Sequence, residues 1–568
     1  MPMTKPTSEQ VTFLAAGAGA SQRTVLNKLR DVVSVKDFGA VGNDAADDTA
    51  AIQAAINSVA TSGGVVFFPP GIYRISSLLT LSDGITLQGS GAAELPSLLA
   101  SPWQGTVIYQ TGSNFAIQAA HNCHINDLSV WGSRTLQGAT NSDGGVYWDG
   151  VIGRGTMTNV QVCGFTKQNA VAIRVHECYR LQFNYVFIYS AYTGLKTSGN
   201  TTTMEWNDGS VTRTNENNHD PNGRALDLSG SSSNNTSLYI RGVYFEACGG
   251  VNPIYMDQYG RVVFEDCGFE KNCLSAPSTT LANPIVINAV NPMEVDLISC
   301  TWSGWDPNYQ SYSGTLTFLK CTQNGAAIKI DNCTFRQNDL LPGVTQVGID
   351  TYGFNSTLCI TNNLCGGVGY VSANEPLNFL LPRNATYPPR RFEFHGNRFS
   401  GLGVTKSEPC NVRSCFDVAP VGNDSAPSSA IPIAVTGVAT TTVYTITVPR
   451  AIMRSGHGVK LRAWGRRTGT AGTKQAKLLI TDTGAATSYN ITGAVATADS
   501  WGADIVIYSR ANTTQSVNVR NLDGSTATNV CAVPNKDFAT YDMLLEIQFE
   551  VAGAADTMTL DGLLLEAF

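Results

Sequence analysis

The chain has 568 residues, 43% of them hydrophobic and only 14% charged, against a usual charged share of about 25%. That balance excludes a disordered chain and a charge-laced helical assembly. Its 37 basic and 44 acidic side chains leave a net charge of −7 with no Lys/Arg run, so nucleic acid and anionic membrane surfaces are not expected partners. No apolar stretch approaches the roughly 18–20 residues of a membrane span.

In chain order, residues 11–20 (VTFLAAGAGA) are apolar and end in small residues, as a signal peptide would. Glu9 and Gln10 stand where that signal needs positive charge, so the stretch reads as part of an anchoring segment over residues 1–32. Asp47-Asp48-Thr49 then precedes Ile52, Ala55, Ile56 and Val59. This is an i, i+3, i+4, i+7 stripe with carboxylates at the N-cap, and it predicts a helix. The Asp47-Asp48 pair is read as a structural cap and not as a metal site. Residues 65–68 follow as a strand closed by Pro69-Pro70-Gly71.

From about residue 120 one pattern recurs at intervals of 24 to 34 residues. Its small or polar anchors are Asp127, Asn159, Asn184, Asp208, Gly242, Asp266, Ser299, Asn332, Asn362 and Gly396. An apolar residue stands two before and three after nearly every anchor, for example Ile240 and Phe245, or Phe264 and Phe269. At Asn184 the two flanking positions are Gln182 and Phe187, and Gln182 breaks the pattern, which predicts a one-residue slip there. Cys267, Cys300 and Cys333 follow three anchors directly. Short strands that alternate inward and outward and bend at each anchor suit a parallel β-helix, with coils about 4.8 Å apart. TPR- or HEAT-like repeats would need long 3.6-period stretches that are missing. The fourteen cysteines form no CxxC and no metal-type Cys/His spacing, and read as buried free thiols. His121 and His124, three apart without carboxylates nearby, read as structural, so no metal or other cofactor is expected.

Residues 33–73 (VSVKDFGAVGNDAADDTAAIQAAINSVATSGGVVFFPPGIY) and 84–91 (GITLQGSG) closely resemble the N-terminal cap of the pectate-lyase-like β-helices of bacteriophage tailspikes. Residues 16–30 (AGAGASQRTVLNKLR) resemble the connector that joins such spikes to a phage tail. The match is similar to capsule depolymerases of podoviruses infecting encapsulated enterobacteria of the Klebsiella type. The resemblance implies a homotrimer of right-handed β-helices, carried on the virion through its N-terminus, that cleaves bacterial capsular polysaccharide.

After residue 410 the texture changes. Residues 411–430 read as a linker and 431–568 as a module of seven strand candidates, at 443–448, 459–464, 477–480, 504–508, 517–519, 544–551 and 558–564. That spacing predicts a jelly-roll-like β-sandwich. In tailspikes such a module serves trimerisation or carbohydrate binding. Trp464, Arg466, Arg467 and Trp501 are its sugar-stacking candidates, set against the reading of both tryptophans as core. The expected fold is therefore all-β: a short N-terminal helical cap, a β-helix over residues 33–410 and a C-terminal sandwich.

Glycan hydrolysis needs two carboxyl groups flanking the scissile bond. Four residues after successive anchors stand Thr212, Glu246, Glu270, Ser303 and Arg336. In-register stacking would set Glu246 over Glu270, where like charges favour one protonated acid beside one ionised partner. Asp306, beside the flat ring of Trp305, is a third catalytic candidate, and Tyr244, Arg241, Trp305 and Arg336 are candidate substrate ligands. One residue before the anchors, Arg241 and Glu265 are expected to form a cross-coil ion pair. His219 and Asp220, in the polar loop at 215–221, are expected to protrude. A solvated glutamate ladder is the structural alternative. A lyase would instead abstract a proton beside a uronate carboxylate with a base such as Tyr244 and cations such as Arg241 and Arg336. A receptor-binding spike without cleavage is the remaining class.

Overall fold

Thr49–Ser58 is helical, and its stripe packs inward as expected, with Ile52, Ala55 and Ile56 fully buried. Gln53 ties the helix to the first coil by accepting from the Thr80 amide at 2.9 Å and donating to its carbonyl at 3.0 Å. Asp48 holds the N-cap position without a side-chain cap bond, a correction to the sequence reading. Its carboxylate accepts from the amides of Val41 (2.6 Å) and Gly42 (3.0 Å) and so pins the preceding loop. Asp47 binds the Thr49 amide at 3.0 Å and the Ser76 hydroxyl at 2.6 Å. Both carboxylates are structural, because backbone amides with no helical acceptor satisfy them.

The computed structural model describes residues 5–93, 105–134, 140–214, 222–229, 237–250, 252–257, 260–270, 272, 284–289, 293–303, 315–322, 326–336, 345–351, 357–365, 378–381, 391–395, 398–399, 433–448, 458–481, 486–492, 494, 496, 498–511, 514–521, 529–534 and 543–567. It divides into two units, Met1–Gly260 and Arg261–Phe568.

In the first unit the strands His124–Trp131, Ile152–Phe165, Tyr179–Ala191, Thr202–Thr212 and Ser237–Glu246 pair in parallel, each on the next. Between them the chain crosses to a second parallel sheet, in order Leu79–Thr80, Phe115–Ala119, Gly144–Asp149, Val171–His176, Thr193–Ser198, Leu226–Leu228 and Ile254–Met256. One strand per coil in each of two parallel sheets is a β-helix. The long strands bend where a residue adopts the left-handed conformation: Asp127 (φ 53°), Asn159 (51°), Tyr185 (54°), Asp208 (57°) and Gly242 (62°). Asn, Asp and Gly accept that geometry at least cost.

The bend at Tyr185 corrects the anchor from Asn184 by one residue, the slip that Gln182 signalled. Phe183 and Ile188 therefore point inward and are fully buried, while Gln182 and Phe187 point outward and are exposed. Ile125, Met157, Phe183, Trp206 and Ile240 make one inner file, and Val130, Val162, Ile188, Val211 and Phe245 another, all fully buried.

The second unit repeats the device. Arg261–Glu265 and Gly268–Glu270, Met293–Ile298 and Thr301–Ser303, Ala326–Asp331 and Thr334–Arg336, and Thr357–Thr361 and Leu364–Cys365 stack in register. Their bends fall at Asp266, Ser299, Asn332 and Asn362, with φ between 53° and 58°; Gly396 lies outside the described residues. Inside, Phe269, Trp302 and Phe335 stack face to face, with centroids 4.9 and 4.4 Å apart and planes 17° and 4° from parallel. Cys267, Cys300 and Cys333 form a buried thiol file, and Asn363 takes the next place below them. The Asn363 carboxamide accepts from the Cys333 amide at 2.8 Å and donates to the Ile330 carbonyl at 3.1 Å. Nine of the cysteines are free thiols, eight of them buried. Burial pushes the Cys163 thiol up, as suits an inert core residue.

Ten antiparallel strands follow among the described residues of this unit. One sheet runs Ile433–Thr436, Thr557–Ala567, Gly458–Thr468, Ser500–Ala511, Thr514–Asn521 and Asn529–Pro534. The other runs Ala439–Val448, Met543–Val551, Lys474–Thr481 and Thr487–Asn490. Met543, Leu545, Ile547, Phe549 and Val551 alternate inward and are buried, the period-two pattern of a sheet covered on one face. All seven expected strands fall within these ten. The linker expected at 411–430 lies outside the described residues.

The corrected register has a direct test. Phe183→Ala should cost about 3–5 kcal/mol of stability in denaturant unfolding, whereas Phe187→Ala should stay within about 0.5 kcal/mol. Equal losses would contradict the bend at Tyr185.

Candidate functional site

On a bent strand with fixed register, every second side chain leaves the core, and successive coils align those side chains into outward files. In the first unit the file two residues past the bend is Ser129, Gln161, Phe187, Ser210 and Tyr244. The file four past it is Trp131, Cys163, Tyr189, Thr212 and Glu246. The upper coils of this face are covered. The Ser129 hydroxyl bonds both the carbonyl and the amide of Ala93, at 2.6 and 2.8 Å. Trp131 and Cys163 cluster with Ile72, Ala93 and Val107.

Lower down the face opens onto aromatic rings. Tyr185 is 56% exposed, Phe187 39% and Tyr244 58%. Glu246, half-buried, is two residues past Tyr244 on the same outward face. Arg241 is exposed on the same strand, with its guanidinium 5.2 Å from the Tyr239 ring centroid. On the neighbouring coil Glu205 accepts a long bond of 3.4 Å from the Gln182 carboxamide, and Asp208 is exposed at the bend. Exposed rings beside carboxylates offer apolar stacking surface next to proton donors and acceptors.

Glu270 is half-buried in the second unit, in register with Ser303, which is in register with Arg336. Each glutamate is thus placed within its own unit. Arg241 of the first unit and Glu265 of the second, expected as an ion pair, are likewise placed separately; Glu265 is in register with Ile298, and Ile298 with Asp331. Trp305, Asp306, His219 and Asp220 lie outside the described residues. Trp302 belongs to the inner stack, as its column implies. His124 bonds the Thr156 hydroxyl at 2.7 Å through Nδ1, and burial holds its pKa below the ordinary value. No group of three His, Cys, Asp or Glu suited to a metal ion occurs among the described residues.

Sequence reasoning missed Tyr185, Phe187 and Glu205. The first two were hidden by the one-residue slip, although Gln182 at an inward position marked where it occurs.

In the sandwich, Trp501 is buried, stacks edge-on against Phe549 at 5.6 Å and donates from Nε1 to the Thr559 carbonyl at 3.0 Å. Arg467 is buried against Asp499 at 3.1 Å. Neither is placed to meet a ligand. Trp464 is half-buried, and exposed Arg466 pairs with Asp561 at 2.6 Å.

Residues 32–275 match the family model for rhamnogalacturonase A/epimerase, pectate lyase-like. The chain is similar to the mannuronan C5-epimerase AlgE3 of Azotobacter vinelandii, 37% identical over 109 residues. That stretch is 18% of this chain and only 6% of the epimerase, so the chain spans a small part of that relative's length. Solved structures similar to it include phage tailspikes. One is the tailspike of E. coli bacteriophage HK620 (10% identity, 98% of this chain and 97% of that one covered, TM-score 0.49). Another is the tailspike gp49 of the Acinetobacter baumannii bacteriophage Fri1, a capsular polysaccharide depolymerase (13% identity, 93% and 88% covered, TM-score 0.32).

Trp501→Ala should lower stability by about 3–5 kcal/mol, read by denaturant unfolding, because it empties a buried site. A variant that unfolds like the parent would return Trp501 to the list of sugar ligands.

Proposed function

We propose that the protein is a tailspike-type depolymerase that binds bacterial surface polysaccharide on the outward face of the long-strand sheet and cleaves its glycosidic bonds. The observation that carries this reading is the group of exposed rings, Tyr185, Phe187 and Tyr244, on the sheet face that also carries Glu246. A soluble sheet face gains nothing from exposed aromatics for its own stability, whereas sugar rings stack on them. The pectate-lyase-like family match and the depolymerase named among the similar structures support the same class of substrate. Capsule of an encapsulated, Klebsiella-type enterobacterium is the proposed target. The remaining parts of the reading are a homotrimer, virion attachment through residues 1–32, and a binding or trimerisation role for residues 431–568.

In the mechanism Glu246 and Glu270 act as the carboxyl pair. One protonates the leaving glycosidic oxygen while the other activates water or attacks the anomeric carbon. Asp306 is the reserve partner, and Tyr244, Arg241, Trp305 and Arg336 hold the chain of sugars. A second reading, β-elimination beside a uronate carboxylate, is favoured by the pectate-lyase-like match. Tyr244 would then take the proton, Arg241 would stabilise the enolate-like charge, and collapse of that charge to a C=C bond would break the bond from the β-carbon to the glycosidic oxygen, which leaves and takes up a proton.

Glu246→Gln and Glu270→Gln should each lower depolymerisation of a sensitive capsule about 10²–10⁴-fold while the protein stays folded and of unchanged oligomeric size. Near-normal turnover in both would remove the pair. Products that absorb in the near ultraviolet as unsaturated uronates would select elimination over hydrolysis.

A further inference from the structure

We infer that the outward face of the second sheet in the first unit is an anion-binding strip that selects acidic glycans carrying carboxylate groups. The inference rests on the carbohydrate reading above but uses a different face of the coils. Register aligns Gln118, Tyr147, Arg174, Lys196, Asp227 and Tyr255 into one outward file. At about 4.8 Å per coil, Tyr147 and Tyr255 are on the order of 19 Å apart, enough for several sugar units lying along the coil axis.

The charges of this face are unevenly paired. Lys196 and Arg224 both pair with the Asp227 carboxylate, at 3.1 and 2.5 Å. Arg174 is half-buried and pairs with no carboxylate among the described residues. Its guanidinium lies 5.1 Å from the Tyr147 ring centroid, and its Nε is buried without a hydrogen-bond acceptor. Arg224 repeats the arrangement 3.8 Å over the Tyr255 ring, also with an unsatisfied, buried Nε. Asp149 and Asp257, two residues past Tyr147 and Tyr255, bring this face to three carboxylates for three cations, yet Lys196 and Arg224 share Asp227 and Arg174 pairs with none of the three.

A half-buried guanidinium without an ion pair loses hydration that the Tyr147 ring returns only in part, and a carboxylate lying between Arg174 and Lys196 would supply the missing partner. Guanidinium favours planar two-oxygen partners, which is the geometry of a carboxylate. Rings at both ends of the file add stacking surface for sugars. Spaced carboxylates on a carbohydrate backbone satisfy both features.

The test uses the full-length protein and affinity electrophoresis through a panel of neutral and uronate-containing capsular polysaccharides. Retention should be confined to uronate polymers, fall with added salt and disappear when the carboxyl groups are chemically reduced to alcohols. Arg174→Ala and Lys196→Ala should each weaken retention about tenfold, Arg174→Lys should restore part of it, and circular dichroism should show all three folded. Retention of a neutral polymer, insensitivity to carboxyl reduction, unchanged binding by folded Arg174→Ala, or equal displacement by single-stranded DNA would each overturn the strip and leave the carbohydrate reading standing. Retention of no polymer in the panel would instead overturn the carbohydrate reading, and the strip with it.

Discussion

Within each unit the structure depends on one backbone event, a single left-handed residue that bends the strand at the same place on successive described coils, from Asp127 to Gly242 in one unit and from Asp266 to Asn362 in the other. Because the bend recurs in register, the residues around it are sorted without exception into inward and outward files. The position tolerates Asp, Asn, Ser and Gly because a short side chain or none avoids the clash that a left-handed conformation imposes on a Cβ. Tyr185 is the exception. An ordinary residue held there costs about 1–2 kcal/mol, and the flanking pairs, Thr158 with Asn184 and Val160 with Val186, hold it in line. The outcome is an aromatic ring in solvent, 56% exposed, where most other coils carry a small polar group.

Inside the coils, like stacks on like. Phe269, Trp302 and Phe335 lie nearly parallel, and the thiols of Cys267, Cys300 and Cys333 form a second file beside them. Identical rung spacing makes such files possible, since each side chain meets its neighbour at the same height. A polar residue can join only if its bonds are met by the adjoining coil, as those of Asn363 are by Cys333 and Ile330. The interior therefore places narrow demands on residue type and leaves the outward files to vary. Both proposed sites lie on outward faces of the coils: aromatic rings and a glutamate on the long-strand sheet, and arginines over tyrosine rings on the other.

Much of this was legible in the chain. The anchors Asp127, Asn159, Asp208, Gly242, Asp266, Ser299, Asn332 and Asn362 all adopt the expected bend, and Trp302 and Phe335 lie in the predicted core. Gln182 announced the slip at Asn184, because a carboxamide is costly at an inward position. What remained hidden was where a side chain's charge ends up after neighbours have been assigned. Asp48 carries the composition of a helix cap, yet its oxygens go to Val41 and Gly42, because the loop presents two amides at bonding distance. Trp501 and Arg467 are sugar-ligand types by composition, and burial against Phe549 and Asp499 removes them from solvent.

Sequence alone determined the architecture of the coils, since it follows from a local rule repeated every 24 to 34 residues. The tertiary structure alone decided which of the many polar and aromatic residues face solvent together. Tyr185 and Phe187 were assigned to the outward face only by the bend, and Arg174 meets Tyr147 only because separate coils align them. The physical reason is that alternation along a strand is a property of neighbours in the chain. Adjacency between files depends instead on how many residues each loop inserts before the next coil begins.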